Sequence, residues 1–111
     1  MTAYPLTLAQ IVSWFRLKQR LLEGSGVSLT DIRERTEYLP CVAADFTSDG
    51  ATGRINAWVS GEFDFEAIRD FDGKDLFWGH AKVLTLDALE SSYADFLQHL
   101  LNPNKATEGV S

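Results

Sequence analysis

Cysteine is almost missing from this sequence. Cys41 is the single thiol, so an internal disulfide is impossible and a disulfide-stapled secreted scaffold is excluded. It sits in the apolar run Pro40-Cys41-Val42-Ala43-Ala44 with no basic neighbour to activate it, and is expected to be a small buried residue. No run of about 18 apolar residues exists, so no membrane span is expected. The first residues carry no positive region, and Arg16, Lys18 and Arg20 interrupt the next apolar stretch. No secretory signal is therefore read, and the expected location is the cytoplasm. Glycine-rich phosphate motifs (GxGxxG, GxxxxGK[ST]) are absent. The two histidines, His80 and His99, stand apart, and no metal-ligand spacing appears. No cofactor and no metal are expected.

Basic charge is also scarce. The net charge is −6. Residues 1–40 carry +1, residues 41–75 carry −5, and residues 76–111 carry −2. An acidic balance of this kind argues against nucleic-acid binding, which needs a basic footprint. It suits attraction to a basic protein surface. Neither nucleic acid nor membrane is an expected partner.

What the chain does have is apolar and aromatic mass. Its 111 residues are 45% hydrophobic, with seven Phe, three Trp and three Tyr. That is one domain's worth of chain with material for a core, not a disordered segment. The whole chain, 1–111, is read as a single domain with loose ends at 1–6 and 102–111.

The pattern predicts an α+β fold. Thr7-Leu8-Ala9-Gln10 fits a capping box. Leu8, Ile11, Val12, Phe15 and Leu22 recur at helical spacing, opposite Arg16, Gln19, Arg20 and Glu23. Gly24-Ser25-Gly26 ends that helix. Residues 28–38 alternate imperfectly and read as a strand or a short helix. Strands follow at 41–47, 53–59, 62–70 and 76–83. Polar turns lie between them at Ser48–Thr52, Ser60-Gly61 and Asp72-Gly73-Lys74. Connections this short require an antiparallel meander of four to five strands. A last helix spans 86–101, capped by Thr85, with Leu86, Leu89, Tyr93, Phe96 and Leu100 on one stripe. Residues 105–111 read as a frayed tail. Both helices should pack on one face of the sheet, leaving the other face exposed.

The exposed face should carry Arg54, Trp58, Glu62, Asp64 and Glu66. Asp64 and Glu66, at i and i+2 on a strand, project together about 7 Å apart. Three readings are open for them: a solvated surface, a partner contact, or an acid–base pair. Tryptophan in so small a domain is usually core, and burial is the expectation for Trp58 and Trp78. A slip of one residue in strand phase exchanges the two faces, and an exposed Trp58 would be an interface anchor. Asp70, Asp72 and Asp75 flank the Gly73 turn and read as a soluble loop, or as an acidic edge meeting a basic surface. A calcium loop is disfavoured by the absence of a closing Glu.

The stretch Gly53-Arg54-Ile55-Asn56-Ala57-Trp58-Val59-Ser60-Gly61-Glu62-Phe63-Asp64-Phe65-Glu66, followed by Phe77-Trp78-Gly79-His80, resembles the core of the TriTu-type immunity proteins. The similarity runs from about residue 29 to 100. It implies a bacterial antitoxin encoded beside an Rhs-type polymorphic toxin of a type VI secretion system. The toxin's C-terminal domain would be an ADP-ribosyltransferase that uses NAD to modify elongation factor Tu. On this resemblance the chain is a non-enzymatic inhibitor. Trp58, Glu62, Asp64, Glu66, Asp70, Asp72 and Asp75 are taken as its toxin contacts on exposure and charge. Gly53, Ser60 and Gly61 are taken to shape turn and sheet. Two other readings remain: a non-inhibitory adaptor or secretion-chaperone domain, and a small enzyme using Asp64 and Glu66.

Overall fold

A computed structural model describes residues 3–103. The order is α1 (Leu8–Leu21), β1 (Val27–Arg35), β2 (Cys41–Ser48), β3 (Ala51–Trp58), β4 (Glu62–Arg69), β5 (Asp75–Lys82), a 3₁₀ turn (Leu86–Leu89) and α2 (Glu90–Leu101). The strands form one open sheet in the order β1-β2-β3-β4-β5, every neighbouring pair antiparallel. Both helices lie against the same face, α1 over β1 and β2, α2 chiefly over β3, β4 and β5.

α1 begins at the predicted capping box. The Gln10 amide donates to Thr7 Oγ1 at 3.1 Å, and the Thr7 amide donates to Gln10 Oε1 at 2.9 Å. Ile11, Phe15 and Leu22 are buried as expected, and Trp14 joins them. The two helices are stapled together. Lys18 Nζ donates to both carboxylate oxygens of Glu90 at 2.7 and 2.9 Å, and its ammonium lies over the rings of Trp14 and Tyr93.

β1 is a strand, which closes the helix alternative for 28–38. Its alternation looks poor because the register shifts between Leu29 and Asp31. Thr30 is the extra residue. Val27 and Leu29 face the core before the bulge, and Ile32, opposite Ala44, faces it afterwards. One inserted residue thus moves the apolar phase from odd to even positions.

The other strands shift by one or two residues from expectation. β2 runs on to Ser48 and β3 starts at Ala51, leaving only Asp49-Gly50 as the turn, with Gly50 at φ +99°. Thr85 makes no side-chain capping bond, contrary to expectation. Four residues of 3₁₀ helix precede α2 there. Leu6, within the stretch 1–6 expected to be loose, is buried, and its amide donates to Val59 O at 3.2 Å. The predicted frayed tail at 105–111 lies outside the described residues.

The core sits between helices and sheet: Phe46, Ile55, Phe63 and Phe65 from the strands meet Phe15, Leu89, Phe96 and Leu100 from the helical layer. Fully burying each such side chain stabilises by about 1.5–3 kcal/mol. The approach is close enough to require glycine. A Cβ on Gly53 would lie 2.7 Å from Phe96 Cζ. One on Gly61, at φ +94°, would lie 2.0 Å from Val83 O. These are two of the three residues expected to shape the sheet.

Candidate functional site

No described element covers the second face of the sheet. Strand register sets its rows. Asp45, Arg54, Glu66 and Trp78 form one line across β2 to β5. Ala43, Asn56, Asp64 and His80 form the next. Cys41 pairs with Trp58 at one end, and Thr47, Thr52 and Ile68 line up toward the other. Cys41 and Ala43 are buried although they lie on this face, small residues set among larger neighbours.

The β1–β3 side of the face is electrostatically closed. Asp45 accepts from Arg33 at 2.5 Å and from Arg54 Nε at 2.8 Å, and Arg33 also reaches Asp31 at 2.6 Å. The Arg33 hydrogen bond, with Arg54 adding to it, holds the Asp45 carboxyl below the usual carboxylate range. The two carboxylates push the Arg33 guanidinium still higher than its ordinary value.

The β4–β5 side is open. Asp64 Oδ1 lies 2.5 Å from His80 Nδ1, and Ser60 Oγ donates to Glu62 at 3.3 Å. Glu66 has no hydrogen-bond or ion-pair partner among the described residues. Across the ladder from it stands Trp78, 70% exposed. The expectation of burial fails for both tryptophans: Trp58 is half-buried on this face, and Trp78 projects into solvent. β5 is the last strand, so no neighbour flanks Trp78 on its outer side.

Of the seven residues taken as contacts, Trp58, Glu62, Asp64 and Glu66 share the uncovered face as predicted. The acidic turn is separate. Asp70 accepts from Thr52 Oγ1 at 2.7 Å, and its amide donates to Gly50 O at 2.9 Å, tying this turn to the β2–β3 hairpin. Asp72 has a structural duty. It accepts from Arg69 Nε at 3.0 Å and from the second guanidinium nitrogen at 2.7 Å, and from the Lys74 amide at 3.1 Å. Arg69 is buried and lies over the Phe71 ring. That clamp lowers the Asp72 carboxyl to about 2. Asp75 is exposed and opens β5 opposite Ile68. From Glu62 to Asp70 the chain spans roughly 26 Å. Only a macromolecular partner could touch all seven residues.

Arg33, Asp45 and His80 are additional polar members of this face that the sequence did not single out as contacts. Their signal is the register, which needs the bulge at Thr30 and the exact hairpin turns. A shallow depression of about 420 Å³ lies beside Glu66, lined also by Thr47, Thr52, Arg54 and Ile68. Asp64 does not line it, so this depression does not join the two carboxylates as an acid–base pair would require. Among the described residues no group of three or more His, Cys, Asp or Glu is placed to hold a metal, and no helix is long and apolar enough to cross a membrane.

No curated protein and no solved structure matches the chain. The family model of immunity protein TriTu matches residues 9–99, which takes in all five strands and all but the outer ends of both helices. A match over that much of the molecule settles the family: the chain belongs to the TriTu immunity proteins.

Proposed function

We propose that the chain neutralises an ADP-ribosyltransferase toxin domain by laying its uncovered sheet face on that domain. The carrying observation is the asymmetry of the sheet in a member of an immunity family: one face is sealed by two helices, and the other presents Trp58, Trp78, Glu62, Asp64 and Glu66. A domain that uses NAD must hold two phosphates with basic or N–H-rich surface. Carboxylates arrayed on a rigid sheet can occupy that surface in place of the dinucleotide. Exposed tryptophan supplies apolar contact at low entropic cost. The acidic field speeds capture of a basic partner.

In this reading the protein is a stoichiometric binder, not an enzyme, and it protects the cytoplasm of the bacterium that makes the toxin. Delivery of the toxin by an Rhs and type VI secretion route, and elongation factor Tu as its target, follow from the resemblance. The test is transfer of ADP-ribose to elongation factor Tu by the toxin domain while this protein is titrated. Activity should vanish at one equivalent, and added NAD should compete. Full activity within a formed complex would favour an adaptor. A failure to bind would overturn the proposal.

A further inference from the structure

The two edges of the sheet are finished differently. At β1 the edge is blocked. Gln19 Nε2, from α1, donates to Leu29 O at 2.8 Å, and the bulge at Thr30 breaks the outer rail. Charged Asp31, Arg33, Glu34 and Arg35 follow along the strand. Such features prevent the pairing of another strand. Val27 and Leu29, inside this edge, are buried.

At β5 nothing comparable is present. Among the described residues, no backbone group from Leu76 to Lys82 bonds to anything except β4. The apolar layer is also unfinished there. Ile55, Ala57, Phe63, Phe65 and Ala67 are at most 1% exposed, whereas Leu76, Phe77 and Ala81 on β5 are only half-buried. The His99 ring, 4.9 Å from that of Phe77, gives partial cover. This edge lacks one more strand with apolar residues on the helical side and larger polar or aromatic residues on the other.

β5 itself has that pattern. We propose that β5 is the seam of a homodimer, in which a second copy's β5 pairs antiparallel with it about a two-fold axis through Gly79. An axis perpendicular to the sheet keeps the helical side of both copies together. It sets Phe77 against the second copy's Ala81, large against small. It sets Trp78 against the second copy's His80. Asp75 and Lys82, the charged ends of β5, are brought toward each other across the seam at both ends. On the axis, where two identical side chains would collide, each copy has only glycine. Regular pairing with β4 is lost between Ala67 and Ile68, opposite Leu76, so the seam is short. It falls below the roughly 1,600 Å² of a standard stable interface and gives a reversible dimer.

Sedimentation velocity of the isolated protein from about 1 to about 500 μM tests this. The weight-average mass should climb from one chain to two, and amides of residues 77–81 should exchange more slowly at the upper end. Trp78→Glu, at an exposed position, should remain a single chain at every concentration with an unchanged circular dichroism spectrum. Ala81→Lys, which places charge against the second copy's Phe77, should do the same. A single-chain mass at the highest concentration, or a dimer that survives both substitutions, overturns the proposal. Toxin inhibition, measured on either variant, reports separately on the proposed function.

Discussion

Phe65 and Glu66 are neighbours in β4, yet they belong to different molecules in a physical sense. Phe65 points into the helical layer, is 1% exposed, and touches Phe63, Phe77 and Phe96. Glu66 points to the uncovered face and, among the described residues, has no hydrogen-bond or ion-pair partner there. The helical side of the sheet tolerates almost no change in volume, because the aromatic rings interlock and even a Cβ at Gly53 meets Phe96. On the other side the positions of Glu66 and Trp78 tolerate change in shape, because these residues are held by the ladder and project into solvent. Stability is concentrated on one side of a single strand, and the proposed toxin contact lies on the other.

Substitutions separate the two sides. Phe65→Ala should destabilise by about 3–5 kcal/mol in urea unfolding, while the folded fraction still binds toxin. Gly61→Ala comes next, at about 3 kcal/mol, since its Cβ meets the Val83 carbonyl and its φ is left-handed. Glu66→Ala with Trp78→Ala should leave stability within about 0.5 kcal/mol and weaken toxin binding by about 2 kcal/mol, or roughly 30-fold by calorimetry. An unchanged affinity would remove the uncovered face from the contact. Thr7→Ala should cost about 1 kcal/mol through the lost cap, with no effect on inhibition. The smallest effect is on acid stability. The Arg69 clamp holds the folded Asp72 carboxyl at about 2, below its ordinary value of 3.8. Its contribution is therefore complete above about pH 4 and disappears as pH falls toward 2. Asp72→Asn should flatten that part of the unfolding midpoint against pH.

The sides also differ in how well the sequence describes them. α1 is legible because Thr7 and Gln10 state its start in local chemistry. β3 and β4 are legible because Ile55, Ala57, Phe63, Phe65 and Ala67 alternate with polar residues. β1 is not, because the extra residue at Thr30 inverts the phase in mid-strand, and nothing local marks it. Trp78 misleads for another reason. β5 carries apolar residues on both sides, so periodicity gives no face, and only its place at the end of the sheet exposes it. The pairs Arg33–Asp45–Arg54 and Asp64–His80 are invisible until the register is known, since the partners are 9 to 16 residues apart. Which charges of the uncovered face are paired, and which are not, follows from that register alone.

The meander order has a kinetic consequence. Each strand pairs only with those adjacent in sequence, through the five residues 36–40, the two-residue turn at Asp49-Gly50 and the glycine turns at Gly61 and Gly73. Loops this short close on the submicrosecond scale, and hairpins form within microseconds. Chains dominated by such near-neighbour contacts fold fast. The contacts that join the helical layer to the sheet and to itself are distant in sequence, such as Phe46 with Phe96, Trp14 with Phe63 and Lys18 with Glu90, and they can form once the hairpins exist and then lock them. A protein that must stand ready whenever its toxin is made gains from a topology that lets the sheet of each new copy form quickly.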